Sequence, residues 1–478
     1  MSKLKKQLIL SGVILAVFAV LLTVYFVLAP SDGDTVKETP EVRDEFGSLV
    51  KNGRPFIVDP IEVSDVKSIR IHNPDDDYTL LNHASGNWIF KGAENYTVDP
   101  EKLSVLRANT RYLLSVQRVE NADLENLQNY GINLSDPAVW FEVEHKGGKY
   151  RVIVGDETPD SIGYYACLEG RDALYVLDTG IKESVLLKCS DYINPVISDP
   201  IETSDIMSLT RLSIFKGGDL FLIIDSVKDN LTHGNNSTHR LTYPVSGYAT
   251  SLANFTSFLD AMADVVCEKT VLYGDLITPE SLAELGFIAG TDDHICDYTL
   301  TAEYPKQKIA LHFVEDGDNY LIYSESKNIV VSAPKTTFNY LEWELIAWLS
   351  SEIYLLDIFD VASVEFTSPT SSALFEVSGE TDIRVTCGGK EVPATDFKSV
   401  YQSLMYVLIT DWGEPPQDTS EIMRLVITLE SGEVLDYVFN SVSAVNSFYT
   451  LNGEGQFYIE REKLLELRSH FESLVPAE

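Results

Sequence analysis

Apolar and polar positions alternate along Val66-Lys67-Ser68-Ile69-Arg70-Ile71, as in a strand buried on one face. Two further short strands are predicted at 78–82 and 87–90, joined by a turn at Ser85-Gly86. The period then changes. Asp99 can cap a helix that takes Pro100 in its first turn, and Leu103, Leu106, Leu113 and Val116 fall along one side of it. A short helix over 125–132, ended by Gly131, precedes an antiparallel meander at 139–144, 150–154, 163–168 and 173–177. Residues 180–192 read as a closing helix with Val185, Leu186 and Cys189 on its apolar side.

The order repeats. Asp59-Pro60-Ile61-Glu62-Val63-Ser64-Asp65-Val66 returns 140 residues later as Asp199-Pro200-Ile201-Glu202-Thr203-Ser204-Asp205-Ile206. That period is too long for a solenoid unit and suits a small domain. In the second copy, Leu252, Phe255, Leu259, Met262 and Val266 mark the core face of a helix, and 280–287 repeats the short helix. Strands are predicted at 298–302, 308–314, 320–324 and 329–332, with a closing helix through Leu341, Leu345 and Leu349. In the third copy, Asp360-Val361-Ala362-Ser363-Val364 repeats Asp65 to Ile69, and a helix carries Phe397, Val400, Leu404 and Val407. Strands at 425–430, 434–439, 448–451 and 457–459 precede a last helix at 461–474. The short helix with its glycine is missing there, as expected of a terminal repeat trimmed for capping.

Before the first copy, residues 8–29 form an uncharged apolar run. At ~1.5 Å per residue it spans the ~30 Å hydrocarbon core of a bilayer. Lys3, Lys5 and Lys6 place residues 1–7 in the cytoplasm and the bulk of the chain outside. The run exceeds the ~7–15 apolar residues of a cleaved signal peptide, and no clear A-x-A site follows, so an uncleaved anchor is preferred. Residues 30–55 are acidic and aperiodic, a linker. The fold class expected is therefore α+β: an N-terminal transmembrane helix, then three related modules of mainly antiparallel sheet with packed helices. Their bounds are 56–197, 198–354 and 355–478, in keeping with a length of 478 residues.

Charge narrows the partners. With 73 acidic against 36 basic residues the net charge is −37, which repels phosphate backbones, so nucleic acid is excluded as a partner. Five cysteines (Cys167, Cys189, Cys267, Cys296 and Cys387) lack any C-x-x-C spacing, and an odd count leaves at least one unpaired within the chain.

Motifs with known mechanics are missing from the sequence: no phosphate loop, no H-E-x-x-H, no nucleophile elbow and no EF-hand loop. His233 and His239 bracket a polar loop, and Asp292, Asp293, His294 and Cys296 precede a strand, where turns favour aspartate. Asp75-Asp76-Asp77 and Asp316-Gly317-Asp318-Asn319 sit where hairpin turns select such residues, with weak extracellular calcium binding as the competing reading. Trp88, Trp140, Tyr164 and Tyr165 in strands, and Trp343 and Trp348 in a helix, read as core in preference to a sugar platform, although one of the two tyrosines must leave the core. No catalytic, cofactor-binding or metal-ligating residue is assigned, and no cofactor is expected.

The apolar run at 8–29, Ile57-Val58-Asp59-Pro60, Asn87-Trp88-Ile89, Leu127-Gln128-Asn129-Tyr130-Gly131-Ile132 with Asp136-Pro137, Val154-Gly155-Asp156 and Tyr164-Tyr165-Ala166 together resemble the DUF4340 family, best over 55–190. That resemblance implies a bacterial membrane-anchored accessory component of an ABC transport system, related to gliding-motility auxiliary proteins, with no defined catalytic residues. The function expected is thus a non-catalytic extracytoplasmic accessory or scaffold subunit. It would be held in the bilayer through residues 8–29, beside an ABC permease or another envelope protein. The alternatives are a surface-anchored hydrolase of envelope polysaccharide and a carbohydrate- or cation-binding protein.

Overall fold

The computed structural model describes residues 41–476 apart from 84–85, 228–236, 264, 290–293, 415 and 418. The apolar run at 8–29 lies outside the described residues. Among those described, no helix is long and apolar enough to cross a membrane. The chain forms three large sheets, and every pairing whose register is defined runs antiparallel.

The first sheet contains β1 (Val66–Asn73), β2 (Asp76–Asn82), β3 (Trp88–Phe90), β4 (Gln117–Arg118), β5 (Trp140–His145), β6 (Gly148–Glu157), β7 (Gly163–Leu168) and β8 (Tyr175–Asp178). Their spatial order is β3-β2-β1-β5-β6-β7-β8-β4. Since β3 and β4 lie at opposite edges, the connection between them, which holds helix α1 (Pro100–Arg111), must cross the sheet. It does so over the face carrying Tyr150, whose hydroxyl donates to the Thr110 carbonyl at 2.6 Å. Leu103 and Leu106 are buried in this layer with Ile69, Ile71, Phe141 and Val143.

The second sheet repeats the plan with β9 (Arg211–Lys216), β10 (Asp219–Ser226), β11 (His239–Tyr243), β12 (Lys269–Tyr273), β13 (Tyr298–Glu303), β14 (Lys308–Asp316), β15 (Asn319–Ser324) and β16 (Ile329–Pro334). Its order is β11-β10-β9-β13-β14-β15-β16-β12, position for position that of the first. Helix α2 (Leu252–Ala263) buries Phe255, Phe258, Leu259 and Met262.

The third sheet has β17 (Val361–Thr367), β18 (Ser372–Ser378), β19 (Arg384–Cys387), β20 (Lys390–Val392), β21 (Ile409–Trp412), β22 (Ser420–Leu429), β23 (Val434–Ser441), β24 (Asn446–Leu451) and β25 (Glu454–Glu460). The order β20-β19-β18-β17-β22-β23-β24-β25-β21 is the same plan with one strand added at an edge. Helices α3 (Ala394–Ser403) and α4 (Arg461–Leu474) cover one face, where Phe366 stacks on Phe471 at 5.3 Å and Phe375 lies 5.4 Å from Phe397.

The expected modules of mainly antiparallel sheet with helices are therefore present. The chain divides into two compact units. One holds the described residues up to Trp88 with Glu101–Leu187, the other Ile89–Pro100 with Lys188–Glu478. Within the second unit the Tyr96 hydroxyl accepts from the Gly274 N–H at 2.8 Å and donates to the Asn328 carbonyl at 2.7 Å.

Several details differ from the sequence expectation. Leu113 and Val116 lie beyond the end of α1 and Val407 beyond α3, and Val266, expected on the core face of α2, follows its end and is 69% exposed. The closing helix at 180–192 is three short pieces, Thr179–Ile181, Lys182–Val185 and Cys189–Tyr192. Its counterpart in the second copy is a 3₁₀ stretch Lys335–Glu342 and a turn of α-helix Leu345–Trp348, with Trp343 between them. Both segments break into short turns, with Val185, Tyr192, Leu341 and Trp348 each buried. Residues 41–55, the described part of the stretch read as linker, belong to the first unit: Arg171 donates to the Ser48 hydroxyl at 2.9 Å and Arg118 pairs with Glu45 at 2.6 Å.

Candidate functional site

The recurring stretch is built the same way twice. Ile61 and Ile201 bury the chain, and Asp65 and Asp205 each receive a lysine ammonium from a hairpin, Lys146 at 2.5 Å and Lys306 at 2.6 Å. These hydrogen bonds hold both carboxyls below their usual range and raise Lys306. A depressed carboxyl contributes stability above the unfolded value, near ~3.9, and that contribution is lost as pH falls through the folded value. Lys146→Met is therefore expected to lower the thermal midpoint slightly at about pH 6, with the difference closing below about pH 3. A difference independent of pH would show that the ammonium acts by packing alone.

The copies differ in the hairpin. In the first, His145 pairs with Gly148 and only Lys146-Gly147 turn the corner. In the second, Glu303 pairs with Lys308, and the longer loop Tyr304-Pro305-Lys306-Gln307 is closed by the Tyr304 N–H on the Gln307 carbonyl at 2.8 Å. Tyr304 and Pro305 thereby wall a cavity of about 220 Å³ against Asp199, Pro200, Ile201, Glu202 and Asp205. Tyr304 is 8% exposed, and burial pushes its hydroxyl up to about 12. Asp199 takes the Lys327 ammonium at 2.5 Å, while Glu202 makes no ion pair among the described residues. Sequence reading missed this pocket, although an inserted Tyr-Pro in place of a tight glycine turn was a visible signal.

The candidates weighed in the sequence fall elsewhere. His233, Asp292 and Asp293 lie outside the described residues. His239 is buried, its Nε2 2.8 Å from the Leu209 carbonyl, and burial lowers its pKa. The Asn73 side chain accepts from the Asp75 and Asp76 N–H groups, and Asp77 binds Arg70 at 2.8 Å, so the Asp75 to Asp77 run is a braced turn. Gly317 takes φ +62° in the turn after Asp316. Among the described residues no group of three or more His, Cys, Asp or Glu is placed to hold a metal. All five cysteines are buried.

A hydroxyl, an imidazole and a carboxylate do meet in the second sheet: Thr299 Oγ1 lies 3.3 Å from His312 Nδ1, and His312 Nε2 lies 2.7 Å from Glu325. Nucleophilic catalysis also needs backbone donors for an oxyanion. Thr299 sits mid-sheet, paired with Phe215 and His312, so its backbone is committed to the ladders.

The Leu127 to Ile132 motif of the first copy lies on the sheet face opposite α1, whereas Trp88 lies under Arg107 of α1. The 3₁₀ turn Leu127–Tyr130 ends at Gly131, φ +72°, and Ile132 joins Trp140, Ile153, Cys167 and Leu174 in a second core. Tyr165, which must point away from α1, packs here with its ring 5.0 Å from Tyr130. Trp140 also lies under the Arg151 guanidinium at 4.3 Å, so it is core with a charged lid. Leu282, Phe287, Cys296, Leu321 and Val330 form the matching cluster in the second copy. The third sheet instead carries Arg424 paired with Asp436 at 2.6 Å on its helix-free face.

Residues 88–289 match the family model described as Domain of unknown function (DUF4340). The match starts at β3 and ends just beyond the short helix of the second copy, so it takes in both glycine-ended turns. No curated protein and no solved structure matches the chain.

Proposed function

We propose, taking the DUF4340 match as premise, that this protein is a non-catalytic accessory or scaffold subunit outside the cytoplasmic membrane. It is anchored through residues 8–29 beside an ABC-type permease or another envelope protein. The observation that supports the reading is the threefold use of one sheet plan, with side chains spent on cores and ion pairs. Repeated modules multiply surface for docking without requiring chemistry. On the hydrolase side stands the Thr299–His312–Glu325 array, outweighed by its committed backbone. In-cell crosslinking of tagged protein, with mass spectrometry, tests the reading. The full chain is expected to recover one permease and its ATPase in stoichiometric amounts, and a version lacking residues 1–29 to lose them. Recovery of no membrane partner by the full chain would sink the proposal.

A further inference from the structure

We propose that the pocket walled by Tyr304 and Pro305 is a socket for an organic cation on a short apolar stem, the chemistry of a lysine side chain or a small free amine. The inference rests on the docking reading only for the source of that cation. Three observations carry it. First, the two copies share the buried isoleucine and the Asp–Lys pair, so those features belong to the fold. The second copy alone adds a four-residue loop that turns the same corner into a cavity. Second, the lining divides by chemistry. Pro200, Ile201, Pro305 and the Tyr304 ring give an apolar wall for a methylene stem, and Glu202 stands at the cavity with no ion pair within 4 Å among the described residues, sharing the field of the Lys306 ammonium with Asp205. A stem there leaves water, and an ammonium gains a carboxylate and an aromatic face. Third, the neighbouring carboxylates already bind ammonium groups of this chain, Asp205 that of Lys306 and Asp199 that of Lys327.

Size and charge both favour this class. A cavity of about 220 Å³ holds roughly seven waters at ~30 Å³ each, enough for a four-carbon amine. An anion would meet Asp199, Glu202 and Asp205 against the one Lys306 ammonium of the lining, within a chain of net charge −37.

The test is saturation-transfer NMR on the full-length chain in zwitterionic nanodiscs, with n-butylammonium chloride as probe and n-butanol as its neutral match. Transfer to butylammonium is expected to exceed that to butanol, to weaken with added salt, and to fall about threefold in Glu202→Gln, within the range of an exposed ion pair. Tyr304→Gly should reduce it further, whereas Glu62→Gln, at the equivalent place in the first copy, should leave it unchanged. Equal transfer to both probes, or transfer indifferent to Glu202→Gln and Tyr304→Gly, overturns the socket. A lysine-containing acetylated peptide and spermidine separate the sources: a stronger response to the peptide assigns the socket to a partner polypeptide, and a stronger response to spermidine assigns it to a free amine. Butylammonium binding in a protein that crosslinks to no permease keeps the socket and removes the accessory reading. Crosslinking without binding does the reverse.

Discussion

Replacing Gly155 by alanine is expected to lower the thermal midpoint of the first unit by about 10 °C. A Cβ at Gly155 would stand 2.2 Å from the Tyr130 carbonyl oxygen and 2.7 Å from Ile132. Neither neighbour can yield easily. Tyr130 ends the 3₁₀ turn, and Ile132 is buried in the second core beside Trp140 and Ile153. The approach is close from both sides, since a Cβ on Gly131 would lie 2.6 Å from the Asp156 nitrogen in a backbone conformation that side chains rarely adopt. Overpacking of this kind costs about 1–3 kcal/mol, and at ~4 °C per kcal/mol for a domain of this size the shift is readable by calorimetry. Hydrogen exchange should show the loss concentrated over 127–156. A midpoint that moves by less than about 2 °C would mean that the short turn is not pinned to β6.

Trp348→Ala is expected to cost the second unit about 3–5 kcal/mol, the usual range for removing a large buried aromatic ring. Trp348 is fully buried, its ring 5.3 Å from Phe258 and 5.1 Å from Trp343, both edge to face. Its indole Nε1 has no hydrogen-bond partner among the described residues. Trp348→Phe keeps most of the ring and removes a desolvated donor, so its cost should be far smaller, about 1 kcal/mol. Denaturant midpoints of the three proteins decide the matter. Equal losses in both variants would mean that ring volume does not set the cost.

The apolar stripes of α2 and α4 and the alternation along β1 show in the sequence because each element repeats its burial at a fixed local period. The two-residue strand β4 and the edge strands β12 and β21 do not. β4 is too short to show a period, and all three strands exist because the far edge of each sheet offers backbone partners. The closing helices at 180–192 and 341–349 failed for the opposite reason: their apolar residues are spaced to suit a helix, yet each segment breaks into short turns whose buried residues contact distant strands. Of the candidate pocket, Asp199 to Asp205 was legible as half of a repeat, while its wall at Tyr304 was not. Nothing local connects residues a hundred positions apart.

By itself, then, the sequence determined the repetition, the module type and core positions such as Leu103, Leu106, Phe255 and Leu259, all properties written in neighbouring residues. Only the tertiary structure decided the common strand order and the apolar second face of the first two sheets against the Arg424–Asp436 face of the third. It also decided the cavity beside Glu202, because each of these depends on which distant segments share a surface and how closely their backbones approach.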